Sequence, residues 1–220
     1  MDDGSENSEE TLKMLEMSAE SGVTKIVATS HFYANRESPA GFLERRSKAF
    51  SRLMQKRGEN KAPEILLGAE VRYFEGVGSC DEIKNLSVSG TRLILIEMPT
   101  VKWSERMVRE VASIESTLGL KPVLAHTERY FIFGVPDILE KISLMNGVIQ
   151  ISAGFLAERK GAKFASMCID NGIAFALGTD CHNLNNRKPN MGEAISYLNK
   201  KLGTEKTEKL IINNQSIYGK

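Results

Sequence analysis

The sequence predicts an α/β fold in which a parallel sheet carries helices on its outside. Three observations predict it. Short apolar runs alternate with longer amphipathic segments from one end of the chain to the other, the pattern of repeated strand–helix crossovers. The short runs are apolar almost throughout, as strands covered on both faces are. Glycines recur just past the amphipathic segments, where a left-handed residue closes a helix.

The elements follow in order. Ser8 is placed to N-cap a helix with Leu12, Leu15 and Ala19 on one face, ended by Gly22. Residues 23–29 (VTKIVAT) read as a strand. Ser38-Pro39 opens a helix carrying Phe42, Leu43, Phe50 and Leu53, closed by Gly58. Residues 64–70 (EILLGAE) and 92–97 (RLILIE) are the next two strands, and a helix over 104–118 stops at Gly119. Residues 122–126 (PVLAH) form a strand and 136–145 a helix with Gly147 beyond it. A strand over 148–151, a helix over 162–171 and a strand over 173–178 (IAFALG) come next. Two helices, 191–202 and 204–212, complete the pattern. Six strands result, and both an open doubly wound sheet and a closed barrel fit them.

Composition narrows the function classes. The 220 residues carry a formal charge of +1, which gives no electrostatic case for nucleic acid or an acidic membrane. No apolar run approaches the roughly 20 residues of a membrane helix, and no signal peptide is visible. Cys80, Cys168 and Cys181 show no zinc-type spacing. Their odd number without a signal peptide predicts reduced thiols in the cytoplasm. No dinucleotide or P-loop glycine motif is present.

The chemistry collects at strand ends. His31 follows the first strand, Glu70 ends the second and Glu97 the third. His126 ends the fourth, with Glu128 and Arg129 just beyond, and Asp180 and His182 follow the sixth. In parallel α/β folds these C-terminal ends converge on the catalytic face. A single histidine after a strand is ordinarily a surface residue, but all three histidines of the chain obey this rule. Glu97 follows Leu93-Ile94-Leu95-Ile96, and a carboxylate in such company needs a cation or a metal. Histidines mixed with carboxylates suit Zn²⁺, Mn²⁺ or Fe ions, and acids bridging neighbouring ions suit a two- or three-metal hydrolase. Arg129 and Arg187 are candidates for bidentate phosphate contacts.

One motif is a decoy. Cys181 and Arg187 have the C-x5-R spacing of cysteine-dependent tyrosine phosphatases. Their loop has no glycine, Lys188-Pro189 follows the arginine, and Asp180 disfavours a thiolate.

The runs DDGSENSEET, VTKIVATSH, LLGAE, LIEMP, LAHTERY and GTDCHN…RKPNM span the chain. In that order they resemble the polymerase-and-histidinol-phosphatase (PHP) superfamily, and within it the bacterial manganese-dependent protein tyrosine phosphatases of capsule and exopolysaccharide operons. The resemblance implies a single domain over residues 1–220, a distorted (β/α)7 TIM-like barrel, and a centre of two or three ions, Mn²⁺ or else Fe or Zn. By motif the ligands would be Asp3, His31, Glu70, Glu97, His126, Asp180 and His182, with Arg129 and Arg187 on the substrate phosphate. The implied reaction is hydrolysis of phosphotyrosine by metal-activated water. The implied partner is the tail of a bacterial tyrosine kinase of polysaccharide export.

The family's barrel opens with a strand ending in His-x-His, roughly ten residues before the DDG turn. This sequence starts inside that stretch. The expectation is therefore a truncated reading frame, a barrel missing its first strand, and one weakened metal position. Two unpaired strand edges would favour association into homo-oligomers. Two other functions stay open: a small-molecule phosphatase of the histidinol-phosphatase type, and an inactive remnant that binds phosphotyrosine.

Overall fold

The computed structural model describes residues 3–57 and 63–218. Helix α1 (Ser8–Glu20) is capped by Asn7 rather than Ser8. Asn7 is extended and its side-chain oxygen accepts the Glu9 and Glu10 N–H groups at 3.0 and 2.9 Å. Glu10 reaches back to the Glu6 N–H at 2.8 Å, so two orphan ends of the helix are closed reciprocally. Helix α2 (Pro39–Arg57) starts where expected, with the Ser38 hydroxyl accepting the Gly41 N–H at 3.2 Å. Its expected stop, Gly58, lies outside the described residues.

The first two expected strands are each interrupted and form two short strands. Strand β1 (Lys25–Ala28) pairs with β3 (Glu64–Leu67), and β2 (His31–Phe32) pairs with β4 (Glu70–Arg72). The register offset is the same on both sides of the break, and Gly68 and Glu70 donate to Ala28 and Ser30 at 2.9 and 3.0 Å across it. Each pair thus keeps one register across the interruption. There Ser89 donates to Leu67 at 2.8 Å, beside β3. Gly68 fits there because a Cβ would meet Thr29 and Val88 side chains at 3.2 and 3.3 Å.

The sheet continues through β5 (Leu93–Glu97), β6 (Lys121–Leu124), β7 (Val148–Ser152) and β8 (Phe175–Gly178). Its order is β2-β4-β5-β6-β7-β8, and all described pairings are parallel. The crossovers are α3 (Glu105–Ser113, extended by a π turn to Leu118), α4 (Val135–Leu144), α5 (Ala153–Leu156) and α6 (Arg159–Asp170). Helices α7 (Met191–Leu202) and α8 (Thr204–Ile217) follow β8.

Both faces of the strands are buried, which explains their unbroken apolarity. On β5, Ile94 and Ile96 join the large core under the helices. Leu93 and Leu95 face the other way, into a smaller cluster with Val123 and Ala176, against which Val27 and Leu66 pack. Residues of β1 and β8, at opposite ends of the strand order, therefore meet in one interior cluster. Among the described residues the outer edges of β1 and β8 pair with no strand. A cavity of about 1140 Å³ opens beside them, lined by Leu15, Ile26, Leu177 and Ile195, and it reaches His31 and His182.

Candidate metal and phosphate site

Seven of the residues singled out as ligands lie at one end of the sheet. His31 opens β2 and Glu70 opens β4, directly opposite one another as register partners. Glu97 ends β5, on the inner face that Leu93 and Leu95 share by the two-residue period. His126 follows β6, and Asp180 and His182 follow β8. Asp3 precedes α1. That helix is tied to the loop after β8 where the Leu184 N–H donates to Glu10 at 3.3 Å.

The distances make two overlapping groups. Asp3, His31 and His182 each offer a donor atom within 4.8 Å of the others, and so do His31, Glu70 and Glu97. His31 belongs to both: its Nδ1 is 3.1 Å from Asp3 and its Nε2 is 3.6 Å from Glu70. His126 Nε2 lies 3.0 Å from Glu70 Oε1 and 3.7 Å from Glu97 Oε1. His182 Nε2 is 3.5 Å from Asp3. Four carboxylates and three imidazoles thus form one connected cluster.

The backbone is bent to achieve this. His126 and Asp180 have φ of 33° and 51°, and of the described non-glycine residues only Asn146 shares that left-handed region. Such conformations cost about 1–3 kcal/mol each and persist where surrounding contacts impose them. Gln150 is one such contact. It accepts the His126 N–H, and Gly178 leaves it room, since a Cβ there would fall 2.4 Å from its amide nitrogen.

Three arginines border the cluster. Arg129 and Arg187 both rest on Asp180, at 2.5 and 2.6 Å, and Arg187 is also 3.8 Å from Asp3. Arg72, which the sequence reading passed over, holds Glu97 at 2.9 Å. Burial opposes its charge, but the hydrogen bond and charge of Glu97 outweigh burial and raise its pKa. Arg72 and Gln150 both carried a sequence signal. Arg72 stands two residues after Glu70 on the same strand, hence on the same face, and Gln150 is a lone amide inside an apolar strand.

The donor set fits divalent metal. Glu70, Glu97 and His126 are buried, at 7, 8 and 2 % exposure. Even so, Glu97 Oε2 and His126 Nδ1 have no hydrogen-bond partner among the described residues. Buried carboxylates of this kind require compensation, and imidazole with carboxylate oxygen is the ligand chemistry of Mn, Fe and Zn. Cys181 does not fit a nucleophile. Burial first, and then the charge of Asp180, push its thiol pKa up.

The chain is similar to known proteins over nearly its whole length. A family model described as "Capsular polysaccharide synthesis, CpsB/CapC" matches residues 1–218. The tyrosine-protein phosphatase CpsB of Streptococcus agalactiae is 28% identical, over 99% of this chain and 93% of its own length. The tyrosine-protein phosphatase YwqE of Bacillus subtilis is 27% identical, over 99% of this chain and 89% of its own. A crystal structure from work on YwqE of B. subtilis and CpsB of Streptococcus pneumoniae, described as unique metal-dependent tyrosine phosphatases, superposes with a TM-score of 0.78. It is 26% identical, covering 98% of this chain and 88% of that one. No helix among the described residues is long and apolar enough to cross a membrane.

Proposed function

Since the chain belongs to the CpsB/CapC capsular polysaccharide synthesis family, we propose that it is a metal-dependent phosphatase that hydrolyses phosphotyrosine on protein substrates. One observation carries the reading. Every histidine of the chain meets carboxylates at a single sheet end, with two arginines poised on the same aspartate.

In this reading Asp3, His31, Glu70, Glu97, His126, Asp180 and His182 would hold two or three ions. Mn²⁺ there, with Fe or Zn accepted by the same donors, supplies a nucleophilic water at neutral pH and a clamp on phosphoryl oxygens. The protein's own contribution is positioning. Arg129 and Arg187 exchange part of their hold on Asp180 for the substrate phosphate, which they grip through planar paired donors. Glu97, held at 2.9 Å by Arg72, keeps its other oxygen toward the cluster as a ligand. Gln150 fixes the His126 backbone so that its ring stays on Glu70.

The finer architecture that we assign is a single domain over residues 1–220, built as a distorted (β/α)7 TIM-like barrel with one strand's place open between β1 and β8. The interior cluster joining Val27 to Ala176 supports closure of the sheet, and the unpaired edges support the open place. Those edges also favour a homo-oligomer. The substrate we assign is the tail of a bacterial tyrosine kinase of polysaccharide export, met in the cytoplasm, where Cys80, Cys168 and Cys181 stay free thiols.

The test is phosphate release from a phosphotyrosine peptide by the full chain with Mn²⁺, repeated after chelation. Turnover that chelation abolishes and Mn²⁺ restores is expected. A rate on histidinol phosphate exceeding that on the peptide would move the substrate to small molecules. Peptide binding without any turnover at saturating Mn²⁺ would reduce the protein to a binding remnant.

A further inference from the structure

Five of the six strand ends deliver a histidine or an acid to the metal cluster. The sixth, the end of β7, delivers Ser152. It opens into a separate cavity of about 390 Å³, bounded also by Gly154, Arg187, Lys188 and Asn190. This cavity and the large one share the wall Thr179-Asp180, so it begins where the proposed phosphate position ends.

The two cations around it are already matched. Arg187 is on Asp180 at 2.6 Å and Lys188 is on Glu193 at 2.9 Å. Among the described residues Glu128 has no cation beside it, and it accepts the Ser152 N–H at 3.3 Å. Apart from Glu128, the groups left over are neutral. Ser152 is only 9 % exposed and its hydroxyl has no partner among the described residues, and the buried side-chain oxygen of Asn190 has none there either. A buried hydroxyl and amide without partners cost free energy that a ligand can recover. An anionic ligand would have to break those ion pairs and face the Glu128 carboxylate, whereas a peptide unit, neutral and carrying one donor and one acceptor, answers both groups directly.

We propose that this cavity is a peptide subsite, in which Ser152 and Asn190 bind the main-chain amide of a residue next to the phosphotyrosine while Arg129 and Arg187 hold the phosphate. The assignment rests on the phosphotyrosine reading above. It gives that reading a physical basis for preferring a protein to a small phosphate ester, because a small ester fills the phosphate position and leaves the cavity unused.

The test compares two non-hydrolysable probes on the Mn²⁺-loaded full chain by calorimetry. One is a neutral tripeptide with phosphonodifluoromethyl-phenylalanine at its centre, and the other is phenylphosphonate. In the double variant Ser152→Ala/Asn190→Ala, the tripeptide is expected to bind about tenfold more weakly, the worth of two neutral hydrogen bonds, and phenylphosphonate as before. Asn190 makes no side-chain cap bond to α7, so Asn190→Ala alone serves if the double variant melts early. An unchanged tripeptide affinity, or equal weakening of both probes, overturns the subsite and leaves the phosphatase reading standing. Failure of the unaltered protein to bind either probe overturns both.

Discussion

Arg72 and Glu97 are register partners on neighbouring strands, and the Arg72 guanidinium lies 2.9 Å from the Glu97 carboxylate at the inner end of the sheet. The other carboxylate oxygen is buried and unpartnered. Arg72 is therefore the counter-charge that keeps Glu97 tolerable when no metal is bound.

Arg72→Gln should destabilise the metal-free protein more than the loaded one. Breaking a buried pair from one side costs about 3–5 kcal/mol. Arg72 is 38% exposed, so solvent screening reduces the expected cost to about 1–2 kcal/mol. For a chain of this size that is roughly 2–8 °C of melting temperature. Thermal melts with chelator and with Mn²⁺ measure it, and an equal drop in both would refute the counter-charge role.

His126 and Arg187 should separate metal binding from substrate binding. His126→Ala removes the imidazole between Glu70 and Glu97, and should cut metal affinity and turnover by on the order of 100-fold or more. Arg187→Ala should leave metal content unchanged and raise KM by roughly 10–100-fold, the worth of a charged hydrogen bond. Elemental analysis beside steady-state kinetics decides. Full metal content in His126→Ala would remove it from the ligand set.

Cys181 should be dispensable. Burial and Asp180 raise its thiol pKa, so at neutral pH even less thiolate is present than for a free cysteine. Cys181→Ala should keep kcat/KM within about twofold, since loss of one half-buried thiol removes little contact. A loss comparable to that of His126→Ala would revive the cysteine mechanism.

The sequence reading located six strands because burial on both faces leaves an unbroken apolar signature. The interruption of two of them is not legible, since the partner beside the second one is Ser89, distant in sequence, on Leu67. The same reading placed the α1 cap one residue late because Asn7 and Ser8 are both good caps and only backbone geometry chooses. The metal cluster was legible because strand ends are local features. Arg72 and Gln150 left a signal of position but none of role, because their roles exist only across strands, against Glu97 and His126. The left-handed turns at His126 and Asp180 had no glycine to announce them.

Gly161 supplies the last prediction. A helix expected over 162–171 leaves this glycine outside, as helix propensity recommends. The helix in fact begins at Arg159 and takes Gly161 in, buried. The reason is contact: a Cβ would fall 1.9 Å from the Phe155 carbonyl oxygen and 2.8 Å from the Leu156 Cα, both backbone atoms of α5. Neither can move as a side chain can, so Gly161→Ala should force α5 and α6 apart. The expected cost is about 1–3 kcal/mol, the range for overpacking, or roughly 2–12 °C of melting temperature. Gly154→Ala, whose Cβ would meet nothing closer than 3.6 Å, is the control and should melt near the unaltered protein. Because α5 directly follows Ser152, the same Gly161 substitution should weaken the tripeptide probe more than phenylphosphonate. A Gly161→Ala protein that melts with the control would show that α5 yields without cost, and the close helix contact would then not be what fixes the end of β7.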